Sequence, residues 1–245
     1  MIPVLMYHQI GLPAPRGTPY RSLVVHPNSF RRQMVWLKRL GYQGLSMRDL
    51  LPYLSGEKTG RVIGITFDDG YCNVLDNALP VLSRLGFTAT NYFVAGQLSG
   101  SNVWDHAKGI PASPLMSVEQ LRAWDQAGME VGSHTVDHVD LPNVTVEMAR
   151  DQMVRSRVIL EEIIQKPVSA FCYPYGHENP VLRQLVWESG YNNATTTEGG
   201  LVRPDDDPFG LPRVLVARTT HMLRFLQKCL THLEDKKRQR KDAVS

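Results

Sequence analysis

The sequence predicts one α/β domain in which a parallel sheet closes into a barrel. Short apolar, β-branched runs alternate with helical patterns about seven times, and no linker-like or low-complexity stretch interrupts them. Alternation of this kind predicts a parallel sheet with helices on its outside. The number of strands and the absence of a GxGxxG motif favour a barrel over a doubly wound sheet.

Each element follows from a local pattern of apolar and capping residues. The predicted strands are the runs IPVLMY, VIGITF, TATNYFV, MEVGSH, SAFCYP, YNNATTT and RVLVA. A helix over 27–40 carries Phe30, Met34, Leu37 and Leu40 on one stripe. SVEQ at 117–120 is a capping box that opens a helix. The other predicted helices cover 74–85, 145–165, 180–189 and a final segment with Met222, Phe225, Leu226, Cys229, Leu230 and Leu233.

Composition excludes several classes of protein. With 42% hydrophobic and 21% charged residues, the chain resembles an ordinary globular protein that can bury a substantial core. A net charge of +3 is too small to indicate a nucleic-acid partner. The three cysteines include no CxxC pair, which argues against a disulfide framework and a structural zinc knuckle.

The two ends of the chain give weaker indications. MIPVLMYHQI has no basic segment of the kind that opens a signal peptide, and no apolar run approaches the ~18 residues of a membrane span. A cytoplasmic location is therefore expected. Residues 234–245, EDKKRQRKDAVS, are predicted to form a basic, disordered tail after a domain of residues 1–233. Weak contact with an anionic membrane surface is one interpretation of this tail, and a solvated terminus is the other.

Polar side chains follow several of the predicted strands. His8 follows VLMY, Asp68 and Asp69 follow GITF, His134 follows EVGS, and Tyr175 follows FCYP. Functional sites of parallel α/β proteins form at the carboxyl ends of their strands. The sequence therefore predicts that these residues meet in one site.

Asp68, Asp69 and the HxxxH spacing of His134 and His138 indicate a metal site. On a helical turn this spacing places both imidazoles on one face. Two histidines and one carboxylate form a common set for a divalent cation that leaves positions open for water. One aspartate would bind the cation, and the other would act as a base on water whose pKa the cation lowers. The alternative is that the histidines only cap a strand and a helix.

The motifs TFDDG, SHTVDH and YPYG resemble the first three motifs of the polysaccharide deacetylases, the NodB-homology carbohydrate esterases of family 4. They run from residue 66 to residue 176 in the order of that family. The resemblance implies a distorted (β/α)7 barrel and removal of N- or O-acetyl groups from sugars. It also implies that Asp68 is the general base and that Asp69 binds the metal with His134 and His138.

The resemblance assigns the YPYG motif to the substrate groove. This motif, which contains Pro174, would shape the groove wall. The backbone N–H of Tyr175 would help to hold the oxyanion of the tetrahedral intermediate. Zinc is the default metal for such a ligand set, and cobalt, nickel, manganese or iron would fit the same ligands.

Two features depart from the usual family pattern. The third motif lacks its leading arginine, and the late strand RVLVA lacks a terminal histidine. PVLMYHQI resembles the opening of the poly-N-acetylglucosamine deacetylase branch, which implies that His8 is the acid; a hydrogen-bonded structural histidine is the alternative. LPRV also resembles a pattern of that branch, and this resemblance makes Arg213 the candidate to pair with Asp68 and keep it ionised; an arginine at the surface or core edge is the alternative.

The loop of residues 99–116 carries Trp104, which could stack on a sugar ring or anchor the loop by packing.

Together these observations predict a metal-dependent hydrolase that removes an acetyl group from an N-acetylated sugar. The sugar could belong to a polysaccharide, an oligosaccharide or a lipid- or nucleotide-linked precursor. Two alternatives stay open: a hydrolase of non-sugar amides with the same fold, and a catalytically inactive carbohydrate-binding protein.

Overall fold

A computed structural model describes residues 1–235 and 238 of the chain. The strands are β1 Val4–Tyr7, β2 Gln9–Ile10, β3 Val24–Val25, β4 Gln43–Leu45, β5 Val62–Phe67, β6 Thr90–Phe93, β7 Glu130–Ser133, β8 Ala170–Cys172, β9 Asn193–Gly199 and β10 Leu211–Leu215. The α-helices are α1 Pro27–Arg39, α2 Met47–Leu54, α3 Cys72–Asn77, α4 Leu79–Leu85, α5 Val118–Gln126, α6 Val146–Ile164, α7 Pro180–Glu188 and α8 Met222–Leu230.

Parallel pairing closes the sheet into a barrel of seven strands. The order is β1-β10-β9-β8-β7-β6-β5, and β1 pairs with β5 to complete the ring. In that closing pair Leu5 lies opposite Ile65 and Tyr7 opposite Phe67. The short strand β4 pairs with the first half of β5. The predicted (β/α)7 barrel is confirmed, and all of its strand carboxyl ends meet at one rim.

Two hydrophobic clusters lie on the two faces of the barrel wall. The outer cluster packs the helices on the strands: α1 buries Phe30, Met34 and Leu37 in this layer. The inner cluster joins side chains from several strands with two residues of α2, and α2 thereby covers the amino end of the barrel. Members of this cluster include Val4, Val62, Tyr92, Ala170, Cys172, Leu211, Met47 and Leu50.

Differences from the predicted elements have local causes. The helix predicted over 74–85 is two helices, α3 and α4, which meet at Ala78. Pro80 lies in the first turn of α4, and its missing N–H and fixed φ suit a helix start and not a helix interior. β4 and α2 were not among the predicted elements. β4 has only three residues and contains Gly44, and α2 contains Pro52, so neither shows a clear pattern.

Three described residues lie beyond residue 233, the predicted end of the domain: 234, 235 and 238. Glu234 and Asp235 are buried, and Asp235 accepts hydrogen bonds from Nε and Nη2 of Arg203 at 2.9 and 2.7 Å. Arg238 donates to both carboxylate oxygens of Asp206. The rest of the predicted tail, residues 236, 237 and 239–245, and the membrane contact predicted for it lie outside the described residues.

Among the helices in the described part of the chain, none has both the length and the apolar character required to cross a membrane.

Candidate active site

The predicted site residues lie at the carboxyl end of the barrel, around a cavity of about 570 Å³. His8 follows β1, the two aspartates follow β5, His134 follows β7, and Tyr175 lies in a 3-10 helix, Pro174–Gly176, after β8. The cavity is lined by seven of the nine predicted site residues: His8, Asp68, Asp69, Trp104, His134, His138 and Tyr175. Arg213 and Pro174 are buried behind its wall.

The turn after β5 explains how neighbouring aspartates can serve different partners. Asp68 continues the strand pairing, because its N–H donates to the carbonyl of Tyr7 at 3.0 Å. Asp69 and Gly70 then both adopt left-handed backbone, with φ of 77° and 78°. A Cβ at Gly70 would lie 2.7 Å from the ring of Phe93, so only glycine fits this position. The reversal separates the two carboxylates.

Asp69, His134 and His138 form a buried group whose donor atoms all lie within 4.8 Å of one another. The Nε2 atoms of both histidines are 3.5 Å from Oδ1 of Asp69. Nδ1 of His134 is 2.7 Å from the carbonyl oxygen of Cys172, which can only accept, so Nδ1 carries the proton and Nε2 presents its lone pair to the group. This donor chemistry fits one divalent cation.

The electrostatics of Asp69 agree with that fit. Burial raises the pKa of Asp69 to about 7, and the nearby Asp68 carboxylate acts in the same direction against the opposing effect of His134. When burial raises the pKa of a carboxylate in this way, a neighbouring cation stabilises the ionised form. The three side chains can therefore hold a divalent ion.

The expectation of a helical turn between His134 and His138 is wrong. The segment is a loop in which Thr135 and His138 have left-handed backbone, with φ of 66° and 56°. Oγ1 of Thr135 accepts from the N–H of His138 at 2.9 Å. Oε1 of Gln152, from α6, accepts from the N–H groups of Val136 and Asp137 at 2.9 and 3.0 Å. Tertiary hydrogen bonds therefore fix the loop that brings the imidazoles together.

Arg213 holds Asp68 in a two-pronged ion pair. Its Nη1 and Nη2 donate to the two carboxylate oxygens of Asp68, each at 2.7 Å. Arg213 is fully buried, which excludes the alternative of an arginine at the surface. It also donates to Oγ1 of Thr66 at 2.9 Å and to the carbonyl of Thr196 at 2.8 Å. Burial would raise the pKa of Asp68, but the charge and hydrogen bonds of Arg213, together with His8 and His134, lower that pKa to about 2.

His8 lies beside this pair, with Nε2 3.8 Å from Oδ2 of Asp68. Within the described residues Nδ1 of His8 is buried and has no hydrogen-bond partner, which is not the arrangement of a hydrogen-bonded structural histidine. Burial lowers the pKa of His8 below 6.5, and the Asp68 carboxylate opposes that shift. The imidazole is therefore neutral near pH 7.

Trp104 and Tyr175 both contact the imidazole of His138. The Trp104 ring stacks on it with centroids 4.5 Å apart and planes 14° apart, and Tyr175 meets it edge-on at 4.7 Å. Tyr175 has left-handed backbone with φ of 60°. Nζ of Lys108 lies 4.3 Å from the Tyr175 ring centroid.

Three residues at the site were not among the predicted site residues: Cys172, Thr66 and Lys108. Sγ of Cys172 is 3.2 Å from Nη2 of Arg213, and its carbonyl oxygen orients His134. Cys172 and Thr66 lie in apolar strands. Because successive side chains of a strand point to opposite faces of the sheet, their position in the strand was the available indication that they point into the barrel. Lys108 ends the short 3-10 helix Val103–Lys108, whose sequence shows no such pattern.

Comparison with known proteins gives consistent results. A family model described as polysaccharide deacetylase matches residues 55–194, more than half of the 245 residues. The Bacillus subtilis protein YxkH is 29% identical over 218 residues, which cover 88% of this chain and 71% of YxkH. A poly-beta-1,6-N-acetyl-D-glucosamine N-deacetylase of Staphylococcus epidermidis is 26% identical over 204 residues, 80% of this chain and 69% of that protein. The structure of the Streptococcus pyogenes deacetylase PplD in complex with acetate superposes with a TM-score of 0.81 at 27% identity, covering 93% of this chain and 97% of PplD. The chain belongs to the polysaccharide deacetylase family.

Proposed function

We propose that this protein removes the acetyl group from an N-acetylated sugar by metal-dependent hydrolysis. The observation that carries the proposal is the position of the Asp68–Arg213 ion pair directly beside the Asp69, His134 and His138 donors, at the base of one cavity. A base and a group of metal ligands at the same cavity floor are what hydrolysis of an unactivated amide requires.

Asp69, His134 and His138 are the proposed metal ligands. When bound, a divalent ion supplies a Lewis acid that polarises the acetamido carbonyl and lowers the pKa of water. Zinc is the first candidate because two imidazoles and a carboxylate suit it, and cobalt, nickel, manganese and iron suit the same ligands.

Asp68 is the proposed general base. Its ion pair with Arg213 keeps it ionised, and the rigid, buried guanidinium fixes the direction of its carboxylate. The pKa of about 2 makes Asp68 a weak base by itself. It can accept a proton in this site because the attacking water is made more acidic there. Asp68 then carries the proton removed from water while the C–O bond forms.

His8 is the proposed acid, which protonates the nitrogen as the C–N bond breaks. Because its imidazole is neutral near pH 7, it must receive a proton during each turnover. Nε2 of His8 lies 3.8 Å from Asp68, close enough for the proton taken from water to pass to His8 after a small movement. The products are acetate and a free amino sugar.

The remaining predicted residues surround the carbonyl. The backbone N–H of Tyr175 is the proposed donor to the oxyanion, and Pro174 shapes the short helix that presents it. The cavity volume of about 570 Å³ falls in the range of pockets for small ligands, so it suits one or two sugar units of a longer chain. Because one relative is named for poly-beta-1,6-N-acetyl-D-glucosamine, β-1,6-linked N-acetylglucosamine oligomers are the first substrates to test.

The test measures acetate release by zinc-loaded protein from these oligomers, from a nucleotide-linked N-acetyl sugar and from a non-sugar acetamide. Asp68→Asn keeps the shape of the side chain and removes the base, so we expect a rate loss of about 10²–10⁴-fold. Metal-dependent release confined to the non-sugar acetamide would favour the alternative amide hydrolase. Carbohydrate binding without release from any substrate would favour the inactive binding protein.

A further inference from the structure

The two candidate histidine ligands are oriented in different ways. Nδ1 of His134 donates to the carbonyl oxygen of Cys172 at 2.7 Å. Nδ1 of His138 is buried, and in the part of the chain that the structure describes no group hydrogen-bonds to it. Metal-binding histidines normally use the second ring nitrogen for a hydrogen bond that fixes the ring. His138 must be fixed by other contacts.

Aromatic packing surrounds the His138 ring. Trp104 covers one face at 4.5 Å in a nearly parallel stack. Tyr175 and His134 pack against it nearly at right angles, with centroids 4.7 and 4.8 Å from that of His138. Rotation of the imidazole about its Cβ–Cγ bond would therefore collide with Trp104 or lose the stack. The contact replaces the missing hydrogen bond as the restraint on the direction of Nε2.

Trp104 is itself held in place by its segment, the 3-10 helix Val103–Lys108. At its start, Oδ1 of the fully buried Asn102 accepts from the N–H of Ser113 at 2.7 Å. At its end, Lys108 pairs with Asp105 at 3.1 Å and lies over the Tyr175 ring. The start of the helix is thus tied to Ser113, and its end lies against Tyr175, whose ring also packs on His138.

The base of the same loop returns to the turn that carries Asp69. Leu115 forms an isolated bridge with Tyr71, and the N–H of Met116 donates to the carbonyl of Gly70 at 2.9 Å. The segment of residues 99–116 thus connects the turn after β5 to the imidazole of His138. These contacts make it a physical link between two of the three metal ligands.

We propose that Trp104 is a positioning residue for the metal ligand His138, and that metal affinity and the order of the 99–116 segment are thermodynamically coupled. Packing of Trp104 favours the ligating orientation of His138, so metal binding must in turn favour the packed segment. The inference rests on the metal site of the proposed function and is independent of the substrate.

The experiment measures Zn²⁺ affinity by competition with a chromophoric chelator, in the wild-type protein, Trp104→Ala, Trp104→Phe and Trp187→Ala. Loss of a group that orients a metal ligand typically costs about 10–100-fold in affinity, so we expect Trp104→Ala to bind Zn²⁺ that much more weakly. Phenylalanine keeps part of the stack and should give an intermediate loss. Trp187 is 58% exposed on α7 and serves as the matched control, with unchanged affinity.

Two further readouts separate this role from others. Amide hydrogen exchange in residues 99–116 should slow on addition of Zn²⁺ to the wild type but not to Trp104→Ala. A Zn²⁺ affinity of Trp104→Ala within twofold of wild type, with a raised KM for oligosaccharide, would overturn the proposal and make Trp104 a sugar-stacking residue.

If the wild type binds Zn²⁺ but releases no acetate, the proposed function fails while the affinity series still decides the role of Trp104. If Trp104→Ala does not fold, the Trp104→Phe affinity decides, and an unchanged value overturns the proposal.

Discussion

The two sides of the site are built in different ways. On the strand side, Asp68 and Arg213 are buried, lie on or directly after barrel strands, and are joined by short charge-assisted hydrogen bonds. On the loop side, His138 lies in the loop after β7 and Trp104 in the segment of residues 99–116; within the described residues Nδ1 of His138 has no hydrogen-bond partner, and the Trp104 ring stacks on the imidazole. The proposed base is therefore held by residues of the barrel strands, whereas the proposed metal ligand His138 depends on loop contacts that can be altered without changing the barrel strands.

The largest effect is expected from Arg213→Leu, which removes the ion pair between Arg213 and Asp68 on the strand side. It leaves the Asp68 carboxylate buried without a counter-charge, and such a loss costs about 3–5 kcal/mol of folding free energy. Chemical denaturation should show this loss. Arg155→Leu, at an exposed helical ion pair with Asp151, is the matched control and should cost less than about 1 kcal/mol.

The double variant Asp68→Asn, Arg213→Leu sharpens this test. Because the buried charge is then absent, it should recover part of the stability lost in Arg213→Leu. Equal stability of the single and double variants would mean that the ion pair is not what Arg213 contributes.

The next effect concerns His8, which lies between the two sides. His8→Ala should lower kcat by about 10²–10⁴-fold while Zn²⁺ affinity stays unchanged, because His8 is proposed to move a proton and not to bind metal. His106→Ala, an exposed position in the neighbouring loop, is the control. A rate within threefold of wild type for His8→Ala would remove His8 from the mechanism.

The smallest effect is expected from Thr66→Val, which leaves the volume of the side chain and removes its hydroxyl. Nη1 of Arg213 loses one hydrogen bond and the carbonyl of Leu5 loses another, and a hydrogen bond to a charged group contributes about 1.5–3 kcal/mol. Thermal or chemical unfolding should show this loss of stability. Acetate release should show a kcat several-fold lower than that of the wild type. Thr66→Ser retains the hydroxyl and should behave like wild type; a Thr66→Val protein as stable as wild type would show that the strand side does not depend on this contact.

The sequence predicted the strand side better than the loop side. Strand ends are recognisable from apolar runs, so the meeting of His8, Asp68 and His134 followed from the fold class. Arg213 is 145 residues from Asp68 in sequence, and only the resemblance to one branch of the family suggested their pairing.

The loop side depends on contacts that no local pattern encodes. The left-handed backbone of Thr135 and His138 is supported by Gln152 of α6, so the i, i+4 spacing led to the wrong expectation of a helical turn. The stack of Trp104 on His138 joins residues of two separate loops. A tryptophan in an irregular segment predicts packing or sugar contact equally well, and the choice requires coordinates.

The two neighbouring aspartates are proposed to have different roles: Asp69 binds a divalent ion, and Asp68 acts as the general base without binding the ion. The most direct test is the Zn²⁺ stoichiometry and affinity of the wild type, Asp69→Asn and Asp68→Asn, measured on protein stripped of metal. We expect one ion per chain in the wild type, affinity at least about 10-fold weaker in Asp69→Asn, and affinity near that of wild type in Asp68→Asn with acetate release abolished. Equal loss of Zn²⁺ in both variants, or no bound ion in the wild type, would contradict the account.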